Sequence, residues 1–321
     1  MFTPTVLEIC SGAGGMSLGL EDAGFEHVAA IDIDRDACNT LRYNRPTWNV
    51  IRADIRGFSA KKFQDVDLFA GGVPCPPFSV AGKQLGNADE RDLFPDALRL
   101  IRECNPRAIM IENVRGLLAP SFADYRQSIT LELTELGYNV NWALLNALDF
   151  GISQNRQRVI LTAFRDSHPH GITAQSDPLK PTPSVGHLLY DLMAHRGWQA
   201  VGQWRLDADG YAPTVVGGSK KHGGPDLGPS RARQAWMKLG IDPRSIADVA
   251  PEPGFVGKPR LTLRMVARVQ GFPDTWAFTG NKTAVYGQIG NALPPPIAAA
   301  VATAIRRHLD GVAVEYGRAA G

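Results

Sequence analysis

Cys75 is the side chain of this sequence best placed to do covalent chemistry. It lies in Gly72-Val73-Pro74-Cys75-Pro76-Pro77-Phe78-Ser79, directly after the apolar run Val66-Asp67-Leu68-Phe69-Ala70. The run reads as a short buried strand that glycine and proline end abruptly, so the thiol sits on a loop at a strand's carboxyl end. Open α/β sheets place their ligands there. Pro74, Pro76 and Pro77 fix φ on both sides and leave the loop little entropy to lose. A thiol in such a loop is a reactive group or a buried structural one, and the loop alone leaves both readings open.

Two further segments deliver charged groups toward the same edge. Arg107-Ala108-Ile109-Met110-Ile111 is another buried strand, and it ends in Glu112-Asn113-Val114. A carboxylate at the mouth of an apolar crevice is a candidate for a raised pKa and proton donation, or else a capping or salt-bridged glutamate. In Gln154-Asn155-Arg156-Gln157-Arg158 the two arginines alternate, so in an extended segment they point the same way. They would clamp a phosphate or carboxylate, or form an exposed basic strand end.

The elements that position these groups begin at the amino terminus. Thr5-Val6-Leu7-Glu8-Ile9-Cys10 reads as a strand, Ser11-Gly12-Ala13-Gly14-Gly15 as a glycine turn, and Met16 to Ala23 as a helix. Strand, glycine turn and helix make a nucleotide-type unit in which the backbone approaches its ligand. The next strand, His27 to Ile31, ends in Asp32, about twenty residues after Gly12, where a carboxylate can accept both ribose hydroxyls of an adenosine. Ser17 stands where a dinucleotide fingerprint wants its third glycine, so a smaller nucleoside-like ligand fits better than a nicotinamide dinucleotide. Asp34 is a helix cap. Asp54 ends a third strand beside the crevice, where its carboxylate could meet an adenine amino group or simply occupy a surface turn. A helix is expected from Arg91 to Glu103, and two more strands over Asn139 to Leu145 and Gln157 to Phe164.

Taken together and in order, these motifs resemble the DNA (cytosine-5)-methyltransferases, and the likeness runs almost end to end. Ser11-Gly12-Ala13-Gly14-Gly15 resembles the family's S-adenosylmethionine loop, and Gly72 through Gln84 its catalytic loop. Glu112-Asn113-Val114 and Gln154-x-Arg156-x-Arg158 resemble the next two motifs. Arg260-Leu261-Thr262-Leu263-Arg264 with Gln270-Gly271-Phe272-Pro273, then Tyr286-Gly287-Gln288-Ile289-Gly290-Asn291-Ala292-Leu293-Pro294, resemble the last two. The departures are Cys10 for phenylalanine, Asp32 for the frequent glutamate, and Met265 for an acidic residue.

The resemblance implies a Rossmann-like S-adenosylmethionine-dependent methyltransferase sheet with a second, smaller, loop-rich target-recognition domain. Cys75 would be the nucleophile that adds to C6 of a flipped-out cytosine. Glu112 would stabilise N3, and Arg158 would hold O2 and orient Glu112. Cofactor contacts would fall on Cys10, Gly12, Gly14, Gly15, Asp32, Ile33, Asp54, Pro74 and Asn291. Ser79, Lys83, Gln84, Arg156, Lys220 and Lys221 would meet DNA, with Arg156 on the phosphate backbone. No metal site is expected.

From about His168 proline and glycine dominate and helical periodicity fades, which reads as the second domain. Trp198, Trp204, Tyr211 and Trp236 offer it core material. The expected division is 1–170 plus 275–321 for catalysis and cofactor binding, and 171–274 for target recognition. A helix is read from Leu261 to Val269, and a final one from Ile297 to Leu309.

The chain has 321 residues and a formal charge of +2, but Val216 to Arg268 holds ten Lys/Arg against four Asp/Glu. A balanced body with one basic segment suits a polyanion. Cys10, Cys38, Cys75 and Cys104 lack metal-ligand or disulfide spacing, and neither a secretory signal nor a membrane-length apolar run is visible. The expectation is a reduced, cytoplasmic bacterial enzyme of restriction–modification type. It would act as a monomer on double-stranded DNA, with a cognate restriction endonuclease as a possible partner. The rival readings are an RNA cytosine-5 methyltransferase, a catalytically silent DNA- or cofactor-binding relative, and, weakest, a nicotinamide dehydrogenase.

Overall fold

A computed structural model describes residues 3–74, 92–165, 181–217 and 226–319, with side chains to 311. The chain divides into two compact units. One comprises Met1–Leu145, Gln157–Gln175 and Ala298–Gly321, and the other Asn146–Arg156 and Ser176–Ile297. In chain order the elements are β1 (Thr5–Ile9), α1 (Gly15–Asp22), β2 (Glu26–Asp32), α2 (Arg35–Asn44), β3 (Val50–Arg52), β4 (Leu68–Gly72), α3 (Phe94–Cys104), β5 (Ala108–Val114), α4 (Ala123–Glu135) and β6 (Asn139–Asn146). Next come β7 (Gln154–Asn155), β8 (Gln157–Phe164), α5 (Val185–Ala194), α6 (Val201–Asp207), β9 (Ala212–Pro213), α7 (Ser230–Lys238), α8 (Leu263–Val269), α9 (Lys282–Asn291) and α10 (Pro295–Ala319).

The first unit is built on a seven-stranded sheet in the order β3-β2-β1-β4-β5-β8-β6. The pairs from β3 to β5 are parallel, and β8 runs antiparallel to β5. Parallel strands covered on both faces need continuous apolar runs, and Leu68, Phe69, Ala70, Ile109 and Met110 are all fully buried. The expected α/β architecture is therefore present. Local chemistry sets the helix starts. Gly14 enters α1 at φ 94°, Asp34 caps α2 through the amides of Asp36 and Ala37, and Pro95 occupies the first turn of α3. α1 lies close on α10, since a Cβ at Gly19 would fall 2.4 Å from the amide nitrogen of Ala299.

Several boundaries differ from the sequence reading. α3 starts at Phe94 rather than Arg91, with Asp92 accepting the Phe94 amide just ahead of it. β3 stops at Arg52, so Asp54 lies in the turn that follows. The last helix starts at Pro295, where prolines need no amide partner.

The second unit holds a small parallel sheet, β7 with β9, among α5 to α9. Trp198, Trp204 and Trp236 form part of its core, with Trp198 tilted against Trp204 and edge-on to Phe255. Tyr211 does not join them and is half exposed. Met265 takes the third position of the α8 cap. Its Sδ lies 3.4 Å from the Thr262 amide, while its own amide donates to Thr262 Oγ1 at 3.3 Å. The thioether thus accepts where the usual acidic side chain would, in a spot only 1% exposed. The second unit ends at Ile297 and the first resumes at Ala298.

Candidate active site

The parallel strands and the start of β8 bring the charged groups to one edge of the first unit's sheet. Register pairs Gly72 of β4 with Glu112 of β5, and Val114 of β5 with Arg158 of β8. Glu112 Oε1 lies 2.8 Å from Arg158 Nε, and both side chains are close to buried. Gly72 makes room for this pair, because a Cβ there would meet Glu112 Oε2 at 3.3 Å. Burial pulls the Arg158 guanidinium below its ordinary range, and the adjacent Glu112 carboxylate pushes back. A donor group and a carboxyl group therefore face each other where β4 hands the chain to Pro74.

That hand-over point is held from two sides. Asn113 Nδ2 donates to the Val73 carbonyl at 2.9 Å, and the Leu93 amide donates to the Pro74 carbonyl at 3.3 Å. Cys75, Ser79, Lys83 and Gln84 follow Pro74 and lie outside the described residues, as do Lys220 and Lys221. Pro74 itself is exposed.

The glycine turn after β1 forms the other part of this edge. Cys10, Gly12 and Gly14 adopt φ values of 48°, 54° and 94°. The turn folds back on β2, with the Gly12 amide donating to Asp32 Oδ2 and the Asp34 amide to Asp32 Oδ1, both at 2.7 Å. Burial raises the Asp32 carboxyl, while those two amides lower it. No atom lies within 4 Å of where a Cβ on Gly12 would stand, and the apolar Ile33 side chain is 58% exposed. Gly15 is buried at the first residue of α1. The Cys10 thiol is pushed up to about 12, by burial first and then by Asp32, Asp54 and Glu8, so it stays neutral. Asp54 pairs with Arg56 at 2.6 Å on its own exposed turn, which lowers its carboxyl.

Arg156 corrects the sequence reading. It is fully buried, and its guanidinium donates to the carbonyls of Val215 at 2.6 Å, Gly290 at 2.9 Å and Ala292 at 3.0 Å. A side chain sealed among these carbonyls does not reach a phosphate backbone. The alternation argument failed because Arg156 stands between β7 and β8, where the strand is interrupted and the chain passes from one unit to the other. Asn291 ends α9 in the second unit, and a Cβ on Gly217 would fall 2.0 Å from its Oδ1.

Sequence reasoning assigned no role to Asn113, although its place after Glu112 at a strand end could have marked it. Among the described residues no group of three or more His, Cys, Asp or Glu could hold a metal ion. No helix there is long and apolar enough to cross a membrane.

Comparison with known proteins adds to this geometry. The family model for C-5 cytosine-specific DNA methylases matches residues 4–214 and 242–307. The chain is 50% identical over 308 residues to the type II methyltransferase M.NgoMIV of Neisseria gonorrhoeae, covering 95% of this chain and 98% of that one. It is also 50% identical over 311 residues to the type II methyltransferase M.NaeI of Lentzea aerocolonigenes, at 95% and 75%. The crystal structure of the S. pombe Dnmt2 methyltransferase matches with a TM-score of 0.68 at 21% identity, over 95% of this chain and 99% of that one, which supports the fold. The sheet edge that gathers Asp32, Glu112 and Arg158 thus belongs to a C-5 cytosine-specific DNA methylase, and the chain is a DNA (cytosine-5)-methyltransferase of that family.

Proposed function

We propose that the protein is a site-specific methyltransferase of type II restriction–modification kind. It would move a methyl group from S-adenosylmethionine to C5 of a cytosine flipped out of duplex DNA, through a covalent bond between Cys75 and C6. The Glu112–Arg158 pair carries this reading, because it stands beside the strand exit that leads into Cys75.

The turn around Asp32 fits the cofactor. A carboxylate can accept ribose hydroxyls, the exposed Ile33 offers an apolar surface to adenine, and Cβ-free Gly12 leaves room for close approach. Gly14, Gly15, Cys10, Asp54 and Pro74 would line the same edge, and Asn291 is a further proposed cofactor contact. Bound there, S-adenosylmethionine supplies an electrophilic methyl group.

The chain's own groups would do the rest. Cytosine C5 is a poor nucleophile, and adding the Cys75 thiolate to C6 makes it enamine-like. Negative charge then develops toward N3 and O2, where Glu112 donates a hydrogen bond and Arg158 a second. After C5 takes the methyl group, a base removes its proton. The electrons of that C–H bond re-form the C5–C6 double bond and expel the thiolate. Flipping the base costs a few kcal/mol, which pocket contacts offset. Ser79, Lys83, Gln84, Lys220 and Lys221 would contact DNA. Recognition falls to 171–274 and catalysis to 1–170 with 275–321. A monomer, a cognate endonuclease and a bacterial cytoplasm complete the reading; the type II names of the relatives support its restriction–modification part.

The test is incubation with tritium-labelled S-adenosylmethionine and mixed-sequence duplex DNA or, separately, bulk RNA, followed by nucleoside analysis. Labelled 5-methylcytosine in DNA alone, abolished by Cys75→Ser with cofactor binding retained, is the expected result. Label in RNA, or near-normal turnover of Cys75→Ser, overturns the substrate or the nucleophile.

A further inference from the structure

We infer that Tyr125 and Asp92 are positioning residues for the methylation reaction, holding together the two flanks of the segment that carries Cys75. This rests on the reading of Cys75 as nucleophile. The flanks meet directly, through the Leu93 amide and the Pro74 carbonyl at 3.3 Å. That single weak bond is reinforced on its far side. The Tyr125 hydroxyl on α4 lies 2.6 Å and 2.7 Å from the two Asp92 carboxylate oxygens, and Asp92 Oδ1 also accepts the Phe94 amide at 3.0 Å. The Phe94 ring, 1% exposed, stands edge-on to Tyr125 with centroids 6.0 Å apart.

The next residue of α4 repeats the function on another segment. Arg126 Nη1 donates to the carbonyls of Leu117 at 2.6 Å and Ala119 at 3.0 Å, in the stretch that follows Glu112 and β5. Adjacent residues of one helical turn therefore fix the exit of the Cys75 segment and the chain leaving Glu112. Hydrogen bonds to a carboxylate are short and strong, so a hydroxyl bridging both oxygens holds the Asp92–Leu93 peptide in one place. Tyr125 and Asp92 act through the backbone at Leu93 and Phe94, so their effect on the reaction would run through where Cys75 is held. Asn113 holds Val73 from the other strand and completes the frame.

The experiment compares Tyr125→Phe, which removes only the hydroxyl, with Asp92→Asn, which keeps an acceptor for it. Each is assayed for kcat, KM for S-adenosylmethionine, thermal midpoint, and the rate of covalent trapping on duplex DNA made with 5-fluorocytosine. Misplacing a reacting group by an ångström costs up to about a hundredfold. Tyr125→Phe is expected to lower kcat and the trapping rate together by roughly ten- to a hundredfold. KM stays within about twofold and Asp92→Asn lies between it and wild type. Trapping by Tyr125→Phe at the wild-type rate overturns the inference, as does a loss of kcat matched by a fallen folded fraction. Failure of the wild-type protein to trap at all, while it methylates DNA, overturns the Cys75 reading and the positioning role with it.

Discussion

Arg156 and Arg158 carry the same group two residues apart, and their surroundings give them opposite characters. Arg156 is enclosed in the second unit, where it donates to three backbone carbonyls drawn from residues up to 136 positions away. Arg158 opens β8 in the first unit and meets a single carboxylate, Glu112, at the sheet edge. Carbonyls offer partial charge and fixed position, so Arg156 acts as a tie between segments distant in sequence. A carboxylate whose proton and charge can respond to a substrate makes Arg158 a group available to chemistry. Residue type and spacing are the same in kind; the acceptor decides the use.

Substitution should separate the two settings. Arg156→Met takes their donor from the buried carbonyls of Val215 and Gly290, which costs about 1–3 kcal/mol for each group left unsatisfied. The urea midpoint of the second unit should fall accordingly. A defect limited to DNA affinity and its salt dependence would return Arg156 to the phosphate backbone and dissolve the contrast. Glu112→Gln keeps the shape of the other site. Turnover should fall about 10²–10³-fold, because the amide can still hydrogen-bond N3 but has no acidic proton to share with it. The variant's stability should fall too, because Arg158 keeps an acceptor but loses its countercharge, so turnover is read per folded molecule.

The smallest effect belongs to a third arginine setting, at the surface. Asp242 pairs with Arg244 and Arg260, each at 2.9 Å. Chiefly through Arg244, its carboxyl is held far below the ordinary range. A depressed carboxyl stabilises the fold above the unfolded value of about 4, and that contribution disappears as pH falls through the folded value. Wild type should exceed Asp242→Asn modestly in urea midpoint near pH 7, and the two curves should converge in strong acid. A constant offset from pH 7 to 2 would mean that charge is not the cause.

Local chemistry made much of this molecule readable in advance. Gly12 and Gly14 announced a turn that only positive φ permits, and they adopt it. Asp32 and Glu112 ended apolar runs, so their place at strand ends followed from the pattern. Arg156 escaped because strand periodicity says nothing where the strand breaks, and its carbonyl partners lie far away in sequence. The Tyr125–Asp92 contact spans 33 residues and has no periodic signature. Tyr211 looked like core material by composition alone, yet it lies just before β9 and remains half exposed. Met265 showed that an unexpected residue can keep a helix cap with a sulfur acceptor.

The enclosure of Arg156 also orders events during synthesis. Its Ala292 partner is made 136 residues later, which at ribosomal rates of 5–20 residues per second is a delay of about 7–27 s. Gly19 likewise waits for Ala298 and Ala299. The first unit cannot finish folding while α10 is still inside the ribosome, so a nascent chain has no complete enzyme to offer to DNA. Methylation begins only after synthesis has passed its final helix.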